Sequence, residues 1–409
     1  MLPSVKTALF GMFGVGNLGN EASLEAMLRY LRHEVPRAEL LCICPDPTRV
    51  SKYHRVRAVP TTVPFSGVAF KPPGRALKRF RRLHDIASWR HALRALGGTD
   101  SLVIPGTGIL DDFGTSPRGM PYDLFRWCMA ARIRGARVKF ASVGAGPIRH
   151  PASRWLMKTA ARLADYRSFR DTDSQTFLAS LGCRTHHDPV VPDLVFSLPT
   201  PFSTVLDSPS RPLTVGVGVM AYFGWSNDAT AGLQTYRKYL ADLAEFVLWL
   251  LQEGCKVRLL IGESADFRAS RDLMEVPSLA PDLHQGRFRP AVRTESIHDL
   301  LEQIATTQIV VATRYHNIVA ALMLNKPVVS LGYAPKNREL LADMGMPGYC
   351  QDVERLDLPL LKRQFLEAVE RRSEIGARIE RRLIEYRQSL ADQFEALFRP
   401  AGRPATRVN

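Results

Sequence analysis

The chain has 409 residues, 45% hydrophobic and 23% charged, with a formal net charge of +15 and a pI near 9.8. This length suffices for two domains, and the composition excludes a disordered chain. The positive excess favours anionic partners: phosphorylated metabolites, nucleotides, acidic lipid surfaces or nucleic acid. An apolar, glycine-containing start over 8–15 predicts a first strand and not a signal peptide. The segment from Thr7 to Leu31 reads as strand, glycine-rich turn and helix, with Leu24, Met27, Leu28 and Leu31 at helical spacing. A second strand over 38–44 completes a β-α-β unit. It carries Cys42 and Cys44, two of six cysteines; none lies at zinc-site spacing, which predicts reduced thiols and a cytoplasmic location.

Residues 46–98 carry little pattern until a basic amphipathic helix over 78–96. Strands follow over 101–106, 139–146 and 166–169, with helices over 122–134, 154–164 and 172–181 between and after them. Prolines 189, 192, 199, 201, 209 and 212 mark a linker, after which the alternation restarts. Strands are expected over 214–220, 256–262, 307–312 and 327–331, with helices over 235–252 and 317–324. A long charged helical tail is expected over 356–397. The apolar run Phe246–Leu251 is far too short to cross a bilayer, so any membrane attachment is peripheral, at the inner face. The expected fold class is α/β: two Rossmann-like, doubly wound domains over 1–200 and 211–350, then a helical tail over 351–409. Ligands of such sheets bind outside the carboxyl ends of the strands, here in a cleft that the two domains face.

Several motifs fall at those strand ends. GVGNLGNEA (14–22) offers glycines, a helix N-terminus and the amides of Asn17 and Asn20; it lacks the acidic residue of a dinucleotide site, Asp46 coming nearest. PGTGILDDFG (105–114) supplies Gly106 and Gly108, with Asp111 and Asp112 as metal ligands, proton acceptors or helix caps, and SVGAGPI (142–148) is a third such loop. Arg170 ends the strand at 169 without a structural duty and suits an anion, whereas Asp171 suits a helix cap. His186 and His187, read as neighbours on a strand, point to opposite faces and cannot share a metal; no metal site is expected, and Asp193 reads as a turn or a cleft-facing carboxylate. The sharpest element is IVVATRYHNIVAALMLNKPVVSLGYAPKN (309–337). It puts Arg314 and His316 in the first turn of a helix and Lys336 after the next strand: a fork for a phosphate or carboxylate, a group that titrates near neutrality, and a second cation. The basic stretch 71–94 reads as a solvated helix face, not a nucleic-acid module.

Taken in order, these motifs resemble the polysaccharide pyruvyl transferase family over about residues 7–345. Matching elements are Gly16–Glu21 for a G-N-x-G-D-E-like loop, Gly106–Gly108, Gly144–Pro147, Arg170–Ser174, Pro192–Asp193, Arg314–His316, Lys326–Pro327 and Tyr333–Lys336. Asn20 stands where the family has aspartate, which bears on the acceptor or on proton transfer. The resemblance implies a GT-B-like fold and phosphoenolpyruvate as donor. It implies a sugar or glycan acceptor and no cofactor, and the basic charge suits an acceptor that is lipid- or nucleotide-linked. It puts Arg314 on the donor's phosphate or carboxylate with help from Arg170 or Lys336, and makes His316 the acid/base. Asn17, Gly19, Asn20, Gly106, Gly108 and Asp193 would line the substrate, with the first domain on the acceptor side and the second on the donor side. Two other readings stay open: a nucleotide-sugar glycosyltransferase using Glu263 on a ribose, and a non-catalytic anion- or membrane-surface-binding protein.

Overall fold

The structure, a computed structural model, describes residues 5–63, 74–201, 212–224 and 228–398, with backbone alone for 74–81. The chain forms two units. One comprises the residues up to Val15, Ser23–Ser197 and the chain from Gln388; the other comprises Gly16–Ala22 and Leu198–Arg387.

The first unit is built on β1 (Lys6–Phe10), α1 (Leu18–Glu34), β2 (Glu39–Cys44), α2 (Pro47–His54), β3 (Arg57–Pro60) and α3 (Gly74–Ala95). It continues through β4 (Ser101–Pro105), α4 (Met120–Ile133), β5 (Arg137–Val143), α5 (Pro151–Arg162), β6 (Tyr166–Phe169) and α6 (Thr172–Ser180). The strands pair in parallel in the order β3-β2-β1-β4-β5-β6. Every residue of β4 is buried, as expected for a strand covered by helices on both faces. The first strand stops at Phe10, short of the expected Val15, because Gly11–Val15 turn. Residues 46–60, unread from sequence, form α2 and β3; Asp46 caps α2 by accepting from Arg49 N (2.9 Å). Residues 64–73, and with them the start of the basic stretch 71–94, lie outside the described residues, as do the side chains of 74–81.

The second unit repeats the plan with β7 (Thr214–Val219), α7 (Ala229–Gln252), β8 (Lys256–Ile261), α8 (Phe267–Met274), α9 (Ala280–His284), β9 (Phe288–Arg289) and α10 (Ile297–Ala305). Then come β10 (Ile309–Ala312), α11 (Tyr315–Met323), β11 (Val328–Gly332), α12 (Pro335–Asp343), β12 (Cys350–Asp352), α13 (Leu358–Glu370) and α14 (Arg372–Phe398). Its parallel order is β12-β11-β10-β7-β8-β9. Both sheets therefore place the first strand of the unit beside the fourth, and the loops at that reversal carry the motifs noted above. The fold class is as expected, including the helical C-terminus, but the helix expected over 356–397 breaks at Arg371, which bonds Glu367 on α13 and Glu374 on α14. The described part of this C-terminus packs back on the units: Phe365 of α13 packs on Phe246 and Trp249 of α7. In the first unit Phe394 stacks on Tyr30 at 4.6 Å, and Gln393 donates to Ser142 Oγ at 2.8 Å.

A polar contact inside the first unit makes its stability depend on pH. Arg126, 1% exposed on α4, donates to Thr61 O (2.8 Å) and to Asp123 Oδ1 (2.6 Å). Burial pushes the Asp123 carboxyl up to about 6, against the opposing pull of Arg126. A carboxyl raised in the folded state binds its proton earlier than in the unfolded chain, so its contribution weakens stability as pH rises from about 4 through 6. Asp123→Asn should therefore gain up to about 2 kcal/mol relative to the parent between pH 4 and pH 7, measured by urea denaturation at each pH. A difference that stays constant with pH would contradict the assignment.

Candidate functional site

In the first unit the ends of β4, β5 and β6 meet at Arg170. Gly106 and Thr107 both adopt positive φ (59° and 66°), and Ser142 (φ 52°) sits where the β5–β6 register shifts. The Arg170 guanidinium lies against Gly144, where an added methyl would come within 2.6 Å of Nη2, and near Gly108, where it would come within 3.7 Å. Arg170 Nε pairs with Asp171 Oδ2 (3.3 Å) and Nη1 with Asp193 Oδ2 (3.5 Å). Asp171 caps α6 through Ser174 N (2.7 Å), as expected.

Asp193 is 1% exposed, so it is a buried counter-ion of Arg170 and not a carboxylate open to solvent; it also accepts from Val195 N (3.2 Å). Burial raises its carboxyl above the usual range, and Arg170 opposes the shift. Arg170 accordingly has a structural duty that sequence did not reveal. The structure thus brings Gly106, Gly108, Arg170 and Asp193 together. Asp112 accepts from Arg149 N and His150 N (2.9 Å each), tying its loop to the start of α5, and Asp111 accepts from Phe113 N (3.1 Å). His186 and His187 lie in a turn with ring centroids 3.9 Å apart, so the opposite-face argument does not apply. Among the described residues no group of three His, Cys, Asp or Glu could hold a metal ion.

In the second unit the site gathers at the N-terminus of α11. Arg314 occupies the cap position, but its side chain makes no cap hydrogen bond. Its Nε and Nη2 each donate to Asp266 at 2.8 Å, and Nη1 meets Glu263 Oε2 at 2.9 Å. Asp266 is wholly buried and also accepts from Ala221 N (3.0 Å), just past β7. Burial alone would lower the Arg314 pKa; the hydrogen bonds and charge of Asp266, with Glu263, raise it instead. His316 lies flat over Gly19, where a methyl would fall 1.7 Å from its Cε1. Asn17 caps α1, its Oδ1 accepting from Gly19 N (3.1 Å) and Asn20 N (3.2 Å). The backbone of Asn17 bridges to Glu263. Asn17, Gly19, Glu263, Arg314 and His316 therefore belong to one neighbourhood.

Lys336 enters α12 with its ammonium over the rings of Tyr333 (4.9 Å) and Tyr315 (5.3 Å). No carboxylate pairs with it among the described residues. Sequence reading missed Asp266, Tyr239 and Asn337. Tyr239 Oη meets Thr313 Oγ1 (2.9 Å) and accepts from Met220 N (3.2 Å), while Asn337 Nδ2 donates to Thr313 O and Ser330 Oγ (3.2 Å each). The one available signal was Asp266 itself, an acid three residues after Glu263 at the end of a predicted strand.

Solved structures of low sequence identity share this fold. UDP-GlcNAc 2-epimerase from Neisseria meningitidis, bound to UDP-GlcNAc, aligns with TM-score 0.60 at 12% identity over 97% of this chain and 100% of that one. A putative UDP-N-acetylglucosamine 2-epimerase from Listeria monocytogenes gives 0.60 at 11% identity over 98% and 99%. The lipopolysaccharide outer core galactosyltransferase WaaB gives 0.55 at 13% over 96% and 100%. These likenesses define the class: a GT-B-type α/β fold. The family profile of the polysaccharide pyruvyl transferases matches residues 17–335, and the chain belongs to that family. No curated protein matches the sequence. No described helix is long and apolar enough to cross a membrane.

Two substitutions check this geometry. Asp266→Ala leaves Arg314 without its buried partner and should cost about 3–5 kcal/mol in chemical denaturation; a loss under 1 kcal/mol would disprove the pairing. Gly19→Ala should force the His316 ring off α1, costing about 1–3 kcal/mol by overpacking. It should also move the His316 imidazole resonances in NMR spectra, and unmoved resonances would rule the contact out.

Proposed function

We propose that the chain transfers a pyruvyl group from phosphoenolpyruvate to two hydroxyls of a sugar, forming a ketal in polysaccharide or glycan biosynthesis. The observation that carries this reading is the start of α11 in a member of the pyruvyl transferase family: Arg314 pairs with Glu263, whose backbone bridges to Asn17, and His316 lies over Gly19, two residues on. The donor is a small, multiply charged anion and needs a fixed guanidinium, a second cation and a helix N-terminus. Arg314 holds its phosphate or carboxylate, with Lys336 assisting from α12. His316 is the acid/base: delivery of a proton to the enol carbon makes the neighbouring carbon electrophilic. A sugar hydroxyl adds to that carbon, phosphate leaves with the carbon–oxygen bond, and a second hydroxyl closes the ring. One hydroxyl proton replaces the proton delivered to carbon; the other passes to solvent or phosphate.

We assign the glycine floor around Gly106, Gly108, Arg170 and Asp193 to the acceptor side, with Arg170 held by Asp193 as a fixed hydrogen-bond donor. Asn17 and Asn20 line the first turn of α1, and asparagine at position 20 in place of aspartate points to an acceptor contact without proton transfer there. The acceptor is a sugar on a lipid or nucleotide carrier, reached from the cytoplasm. A nucleotide-sugar glycosyltransferase would use Glu263 on a ribose; membership of the pyruvyl transferase family outweighs that reading.

The test is phosphate release from phosphoenolpyruvate with a panel of acceptor sugars. The parent should show acceptor-dependent release, and His316→Ala about 10²–10⁴-fold less. Equal rates in both proteins, or none with any acceptor, would reject the mechanism.

A further inference from the structure

Arg314 is not an open receptor for anions. One guanidinium faces two carboxylates, Asp266 and Glu263, so the group carries a net negative charge before any ligand arrives. A negatively charged ligand gains little by approaching such a cluster unless one carboxylate withdraws. The two acids differ in their ability to do so. Asp266 has no exposed side-chain surface, takes two hydrogen bonds from the guanidinium and one from Ala221 N, and would lose all three in leaving. The Glu263 side chain is 31% exposed and meets Arg314 Nη1 alone, its one side-chain partner among the described residues. Its backbone is anchored through the bridge to Asn17 and by Asp266 N donating to Glu263 O (3.0 Å), so only the side chain is at liberty to swing.

We propose that Glu263 is an exchangeable counter-ion. It holds the outer edge of Arg314 while the site is empty and gives up that edge to the anion of the donor. Asp266 keeps the guanidinium aimed throughout, so the fork is already oriented when the donor arrives. A ligand must compete with an internal carboxylate, which discriminates against weakly held monoanions and favours a ligand with several charges. Glu263 is a positioning and specificity-determining residue for the donor, and this rests on the reading that the donor's anion docks at Arg314.

The experiment is calorimetric titration of the full chain with phosphoenolpyruvate and with inorganic phosphate, at two ionic strengths, for the parent, Glu263→Gln, Glu263→Ala and Glu263→Asp. The two neutral variants should bind both anions about fivefold more tightly, as removal of a partly exposed competing charge predicts. Glu263→Asp should stay near the parent, and melting temperatures should be nearly unchanged. A merely structural ion pair would lower the melting temperature and leave the dissociation constants alone. If the parent binds phosphoenolpyruvate and both neutral variants bind it equally or more weakly, the exchange is refuted while the proposed donor stands. Anion binding by the neutral variants alone upholds the exchange. No anion binding by any of the four proteins overturns both.

Discussion

Asp266 decides where Arg314 can point, and much of the second unit's site follows from that one buried pair. A carboxylate removed from water is stable as an anion only with a charge partner and full hydrogen bonding. Arg314 supplies two bonds and Ala221 N a third. Those bonds join the end of β7, the turn after β8 and the start of α11. Alongside them Tyr239 ties Met220 N to Thr313 Oγ1, and Asn337 ties Thr313 to Ser330 on β11. The carboxyl ends of β7, β10 and β11 are thus laced together by side chains, which fixes the start of α11.

The glycines of both sites follow a second constraint: space for a neighbouring side chain. Glycine at a strand end suggests a backbone open to a ligand, but here several such glycines are covered from within their own unit. His316 lies on Gly19 and Arg170 on Gly144, while Asn317 and Arg314 pack against Gly262 and Asn317 against Gly218. A β-carbon at any of these four positions would sit within 3.1 Å of the covering group. Asn317 pays for that close packing, because among the described residues neither of its side-chain polar atoms has a hydrogen-bond partner, and it has no exposed surface. The glycines therefore act as surfaces that set the height of the covering side chains above the sheet.

The long parallel strands and the R-x-H helix start were legible in sequence because each leaves a local trace. Ile309–Ala312 is a continuous apolar run with Arg314 and His316 soon after it, and Val328–Gly332 is apolar but for Ser330; both are buried throughout. The region 263–308 was not legible: α9 has five residues and β9 two, too few to show a period. The helix tail read as one element because its apolar spacing runs on past Arg371, where a two-sided ion pair spans the break. Ion-pair partners were the hardest to see. Arg170 with Asp193 and Arg314 with Asp266 join residues 23 and 48 positions apart, and only the order of strands in the sheet brings them together. A loop reading that assigned Arg170 no structural work could not have known of Asp193.

Those pairs also separate the net charge of the chain from the charge of its sites. With an excess of +15, the molecule attracts anions at long range. Yet Arg170 faces Asp171 and Asp193, and Arg314 faces Asp266 and Glu263, so each guanidinium is outnumbered by carboxylates at contact distance. The basic surplus can raise the encounter rate, but it cannot by itself hold a ligand at either place. Lys336 is different: its ammonium rests on two tyrosine rings, which favour a cation without cancelling its charge. Lys336 thus keeps its charge for a ligand, and under the proposed exchange Arg314 would add its outer nitrogen as Glu263 lets go. Under that proposal the buried pairs would supply geometry and the partly exposed pair selectivity.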